Sequence, residues 1–294
     1  MLSLTKMFTN DLITEEQYQR KLVGVIEPNR QRLLGRENII HTIYDPDLGA
    51  TDNSYWKLTD MDDATVSMGF DGAYSWTTVS ESTGKLPIIR SGFKIDRRVM
   101  ANLLKDGGQK LSDMFGSAAY KMFMKEQEII LLGWDSDVDT TYELPGLYNW
   151  TTTNSFSGST WATAANCVTD ILGCVGTLME DNHGGPYHAY VNATQWLEAF
   201  KGVNSTTWDT AYKHIGLALG GPDRLHILPT AHMAASTGMV IQDPGPEWGA
   251  LTVTQDATPE IVFNQSENMY YCQVFEAIGM EQRDPLAICT ITGN

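Results

Sequence analysis

Long apolar runs are missing from this 294-residue chain. A helix that crosses a bilayer needs about 18 consecutive apolar residues, and no stretch comes near that, so no membrane-spanning helix is expected. The opening residues, MLSLTKMFTNDLITEEQYQRK, lack an apolar core followed by a small-residue cleavage site and give no sign of a secretory signal. The Asn-x-Ser/Thr triplets at Asn149, Asn192, Asn204 and Asn264 therefore carry no weight as glycosylation sites. Cysteine is scarce too. The four present, Cys167, Cys174, Cys272 and Cys289, form no Cys-x-x-Cys pair, and no histidine stands at zinc-ligand spacing from them. Cys167 and Cys174 are seven apart, so they share one face of a helix, and all four are read as small buried thiols in a reducing compartment.

Positive charge is lacking in one half only. Residues 1–132 hold 16 Lys/Arg against 18 Asp/Glu, whereas residues 133–294 hold 4 against 18, so most of the net charge of −16 sits in the second half. A reader of nucleic-acid sequence needs a basic stripe to neutralise phosphates, so sequence-specific nucleic-acid binding is not expected. Catalytic signatures are equally sparse. No Gly-x-Gly-x-x-Gly follows a strand, no Gly-Lys-Ser/Thr phosphate loop exists, and the six histidines never form His-x-x-x-His. NHGGPYH (182–188) resembles the oxyanion loop of esterases, but the Gly-x-Ser-x-Gly elbow that such a loop serves is absent, and a turn launching a buried strand is the better reading. DSDVDTTYELPG (135–146) begins like a calcium loop with Asp135, Asp137 and Asp139, then places Thr140 where the sharp turn needs Gly and Gly146 where a bidentate Glu belongs. No residue is assigned a catalytic, cofactor-binding or metal-binding role.

What is present is order. A hydrophobic fraction of 42% with 10% aromatics excludes general disorder. Thr14 and Gln17 form a capping-box pattern that starts a helix, bent before Pro28 and ending at Gly35. Residues 40–95 alternate polar and apolar side chains, as in YSWTTVS, and read as a long β-hairpin with a polar tip. Trp56, Tyr74 and Trp76 on such a projection suggest contact with another chain. A helix near 96–105 and a break at Gly107–Gly108 precede the longest periodic element, in which Leu111, Phe115, Ala118, Met122 and Ile129 recur at helical spacing. It could reach about 24 residues, or about 36 Å. A helix at 162–179, a buried strand and helix in GGPYHAYVNATQWLEAF, strands at RLHILPT, GMVIQD and LTVTQ, and two closing strands broken at Asp284–Pro285 complete an α+β chain.

The segments LLGR, LPIIRSGFKI, EIILLG followed by GLYN, and GPYHAYVNATQWL, in this order over nearly the whole chain, resemble the HK97-type shell fold of tailed-virus major capsid proteins and encapsulins. That resemblance implies an N-terminal arm (1–40), an extended loop (41–95) and a peripheral domain with a spine helix (96–164). It further implies an axial domain (165–272) and return strands of the peripheral domain (273–294). It implies a structural protein, not an enzyme, that assembles with copies of itself through pentamers and hexamers into a closed icosahedral shell. The leading expectation is the major capsid protein of a tailed dsDNA virus, enclosing DNA without reading its sequence and located in a virion assembled in the host cytoplasm. A separate scaffolding protein, a portal and decoration proteins would be its partners. The alternative is a cytoplasmic encapsulin shell around cargo enzymes, whose cargo-binding helix the segment TEEQYQRKLVGVIEPNRQRLLGR resembles. A remote alternative is an α+β hydrolase using His183 or His188.

Overall fold

The computed structural model describes residues 36–45, 52–58, 79–105, 108–135, 143–151, 153–159, 161, 163–203, 210–234 and 237–293. A 3-10 turn at Arg36–Asn38 leads into β1 (His41–Tyr44), then β2 (Asp52–Leu58), β3 (Val79–Lys85) and β4 (Ile88–Asp96). Helices α1 (Arg97–Lys105) and α2 (Gln109–Leu132) follow, then the short strands β5 (Gly133–Trp134) and β6 (Leu144–Pro145), and β7 (Asn154–Gly158). Helix α3 (Ala164–Glu180) precedes β8 (Tyr187–Asn192), α4 (Ala193–Ala199), α5 (Ala211–Ala218), β9 (Leu225–Thr230) and β10 (Thr237–Gln242). The chain continues through β11 (Gly249–Asn264), β12 (Met269–Gln282) and β13 (Ile288–Gly293).

Two sheets organise these elements. The first has the order β1-β11-β12-β4, the second β7-β13-β10-β8-β9. Helix α2 lies on the first sheet, with Phe115 meeting Phe93 of β4 edge-on at 5.2 Å. The residues that carry its helical periodicity, Leu111, Phe115, Ala118, Met122 and Ile129, are all buried, and its 24 residues match the sequence expectation. Helix α3 covers one face of the second sheet through Cys167, Ile171, Cys174 and Leu178, spaced along a single stripe.

The second sheet has no solvated face at its centre, and β8 shows why. Side chains alternate across a strand, so Tyr187, Ala189 and Val191 pack under α3, while Tyr190 between them joins the core beneath α2. Burial on both sides explains a strand that reads YHAYVN with little polar alternation. The same division places Val240, Cys289 and Ile291 with α3, and Met239, Ile241 and Ile288 with α2.

The pairing of EIILLG with GLYN has a steric cause. Gly133 ends α2 at φ 86°, a left-handed conformation that favours glycine, and a Cβ on Gly146 would lie 2.1 Å from its backbone nitrogen. The two backbones therefore touch. Asn149 then donates to the carbonyl of Leu132 at 2.5 Å, satisfying an end group of the helix, and Trp150 donates to Pro145 O at 3.1 Å.

Several strands depart from the sequence reading. The long hairpin is divided: only β2 and β3 pair with each other, whereas β1 joins β11 in parallel and β4 joins β12. Strand β7 is an edge strand, NSFSG, too short and polar to signal itself before it meets β13. Strand β11 runs for 16 residues where only LTVTQ had shown a pattern, because β12 carries it as a partner along its length. The two closing strands enter different sheets, β12 in the first and β13 in the second. The N-terminal helix expected from Thr14 to Gly35 and the acidic residues Asp137 and Asp139 lie outside the described residues.

All four thiols are buried, as the sequence reading expected. Burial pushes Cys167 and Cys272 up to about 12, and Cys174 is raised further by its side-chain contact with Cys289 on β13. Thiolate is the reactive form. Ellman's reagent at pH 8 should therefore titrate no cysteine in the native protein and four after denaturation; rapid native labelling would contradict this packing.

Candidate assembly surface

The ribbon of β2 and β3 is a two-stranded sheet of its own. Its register runs from Asp52 opposite Lys85 to Leu58 opposite Val79, with an exposed ion pair of 2.7 Å between Lys85 Nζ and Asp52 at the base. Tyr55 is buried at the root, yet the adjacent Trp56 is 65% exposed. An isolated two-stranded ribbon is marginal in water, so an exposed indole on it is chemically suited to burial against another chain. Tyr74 and Trp76 lie outside the described residues. A second apolar surface occurs on α4 and α5, where Leu197 and Leu217 are exposed beside the Trp196, Phe200 and Tyr212 rings.

A polar node roots the ribbon. Asn53 Nδ2 donates to Thr252 Oγ1 at 2.9 Å and to Glu281 Oε1 at 3.0 Å, and Thr252 donates to that same oxygen at 2.8 Å. Arg283 donates to Glu281 Oε2 from Nε at 3.2 Å and from Nη2 at 2.6 Å. Burial would raise the Glu281 pKa, but these donors and the guanidinium charge outweigh it and hold the carboxyl below its usual range. Packing supplements the node. A Cβ at Gly279 would lie 2.5 Å from Leu86, and one at Gly84 would lie 3.1 Å from the Met280 carbonyl.

A buried charge cluster fixes the start of the described chain. Arg36, the last residue of LLGR, lies 2.8 Å from Glu126 on α2, 3.1 Å from Glu276 on β12 and 3.6 Å from Asp256 on β11. Burial lowers the guanidinium pKa, but the three carboxylates more than offset that and raise it. Sequence periodicity marked α2 as pure packing and missed Glu126. The signal was available only as a charge inside an apolar run, EQEIILL.

The histidines of NHGGPYH are held among polar groups. His183 Nδ1 lies 3.1 Å from Gln242 Oε1 and its Nε2 is 3.3 Å from Asp284. His188 Nδ1 lies 3.0 Å from Asn38 O and its Nε2 is 3.0 Å from Asp243, with the His226 ring edge-on at 5.2 Å. A carbonyl, an amide and carboxylates meet these ring nitrogens, and Tyr190 OH lies 3.4 Å from His188 Nδ1 while donating its own proton to the Asn38 carbonyl. Among the described residues no cluster of three His, Cys, Asp or Glu could hold a metal ion.

A subunit with a spine helix on a long-stranded sheet, a second sheet under three helices and a separate two-stranded ribbon has the HK97-like capsid fold. Among solved structures it is similar to the virus-like particle from Pyrococcus furiosus, at 14% identity and a TM-score of 0.65, covering 93% of this chain and 99% of that one. It is similar also to the capsid of Myoviridae phage XM1, at 12% identity and a TM-score of 0.67, covering 88% and 90%. The capsid of the native GTA particle matches at 13% identity and a TM-score of 0.56, covering 88% and 90%. A family model described as encapsulating protein for peroxidase matches residues 56–275, and the chain belongs to that family. It is a self-assembling shell protein of the HK97 fold.

Two outcomes follow from the buried charges. Arg36→Met leaves Glu126 and Glu276 in the core without their guanidinium, and urea denaturation should show a loss of about 3–5 kcal/mol; a neutral substitution would mean that the cluster contributes nothing. His188 is buried, and desolvation, with His226 adding to it, lowers its pKa despite the opposing Asn38 carbonyl and Asp243. The folded state therefore binds this proton less readily than the unfolded state, so stability falls as pH drops below about 6.5 through the lowered folded value. His188→Gln should flatten the stability profile between pH 7 and 5, measured by thermal denaturation.

Proposed function

We propose that this chain is the major capsid protein of a tailed dsDNA virus, closing through pentamers and hexamers around a genome whose sequence it does not read. The observation that carries this reading is where the family match begins. It starts at residue 56 and leaves out the N-terminal segment, the part that the resemblance to encapsulins would assign to cargo binding. The scarcity of basic residues after residue 132 adds support, since an acidic lining repels packaged DNA and does not condense on it. A separate scaffolding protein, a portal and decoration proteins would then be partners, and the virion the final location.

The domain scheme is part of this proposal. The spine helix α2 with the first sheet forms the peripheral domain, and α3, α4 and α5 with the second sheet form the axial domain, which gathers around the symmetry axes. On this reading β11 and β12, paired in the first sheet, go with the peripheral domain and β13, paired in the second, with the axial one, in place of the 165–272 and 273–294 bounds read from the sequence. The product of this chain is an interface and not a reaction, a reading supported by the partners of His183 and His188: a carbonyl, an amide, carboxylates and a Tyr190 hydroxyl whose proton is given to the Asn38 carbonyl.

A second reading, an encapsulin shell around cargo enzymes, is favoured by the description of the family itself. Electron microscopy of particles purified after recombinant expression, with absorbance at 260 and 280 nm, separates the two. Free capsomers, sheets or irregular shells that become regular with a scaffolding protein are expected for the capsid protein. Small uniform shells that form unaided and contain protein would overturn it in favour of the encapsulin. Absence of assembly at any salt or pH would return attention to His183 and His188.

A further inference from the structure

Among the described residues the β2–β3 ribbon meets the body along one face: Tyr55 is buried and Trp56, one residue on, is 65% exposed, because side chains alternate across a strand. The ribbon is a two-stranded sheet of its own. Its direction is set by whatever contacts pin the root, because strands without a third partner resist twisting poorly.

Those contacts converge on one carboxylate. Glu281 Oε1 receives Asn53 of β2 and Thr252 of β11, while Oε2 receives Arg283, whose Nη1 also reaches the Pro246 carbonyl. Three separate stretches of chain thus meet on two oxygens. The ribbon enters this arrangement through Asn53, which sits opposite Gly84 in the register, and Gly84 itself rests on the Met280 carbonyl. Both strands are therefore referenced to residues 280–283.

We propose that the Glu281 carboxylate is a latch that sets the angle at which the ribbon leaves the subunit, and through that angle the curvature at which neighbouring subunits join. The second half rests on the shell reading above; the first half does not. The charge is essential to the latch, since a carboxylate accepts on both oxygens. An amide of the same shape accepts on one and turns its NH2 group toward Asn53 or toward Arg283, so Glu281→Gln opposes donor to donor. Asn53→Ala releases the ribbon from the other side and leaves the Glu281–Arg283 pair in place.

The test places nitroxide labels at Trp56→Cys on the ribbon and Lys121→Cys on α2, both exposed positions, in full-length protein diluted with unlabelled chain. Pulsed dipolar spectroscopy should give a narrow distance distribution in the parent background. At least a doubling of its width is expected with either Glu281→Gln or Asn53→Ala. A parental width in either variant would overturn the latch whether or not shells form. Particle diameters by electron microscopy read the second half. A broadened or shifted size distribution in the same variants supports control of curvature, and parental diameters alongside a broadened label distance would overturn it while leaving the latch.

Discussion

Two carboxylates inside this subunit, Glu126 on the spine helix and Glu276 on β12, govern where Arg36 must lie. Burying charge in a low-dielectric core is tolerated only with a partner of opposite sign and good geometry. Arg36 lies within 3.1 Å of both, so the end of the LLGR segment is held at the seam between helix and sheet. From there Ile39 and Ile40 enter the core fully buried, and β1 takes its parallel place beside β11. Asn38, two residues on from Arg36, presents its carbonyl to His188 and to Tyr190 of the second sheet. One short stretch thereby connects the spine helix, the first sheet and the second sheet.

The same economy of contacts shapes the rest of the subunit. The second sheet serves two cores at once, so α2 and α3 do not move independently of it. The first sheet is long because β11 and β12 support each other beyond the reach of β1. A body tied together in this way presents fixed surfaces, which is what a repeating shell requires of its unit. Among the described residues the β2–β3 ribbon is the exception: it is joined to the body through buried Tyr55, a few polar groups and two glycine contacts, and the freedom of a shell subunit to fit different neighbours would reside there.

Sequence and structure agree most closely where a pattern is local. The stripe Leu111, Phe115, Ala118, Met122 and Ile129 needs only helical geometry to be read, and the helix is present at its expected length. Asn192 is similarly legible: its side chain accepts from Thr194 N at the start of α4, a cap written within three residues. The undivided hairpin over residues 40–95 was misread for the converse reason. Alternation identifies strands, but it does not name their partners, and β1 and β4 find theirs more than 150 residues away. Glu281 and Arg283 gave no signal at all, being ordinary charges until folding brings Asn53 and Thr252 to them.

By itself, then, the amino-acid order determined the α+β composition, the spine helix, the buried thiols and the collinear segments that identify a shell fold. Each depends on spacing along a few turns or on residue type, and both are properties of the chain before it folds. Only the tertiary structure decided how β1, β7 and β13 are distributed between the sheets, which carboxylates share Arg36, and where the ribbon is anchored. Strand pairing and buried charge are satisfied by whatever the fold brings within hydrogen-bond reach, and that distance has no counterpart in sequence separation.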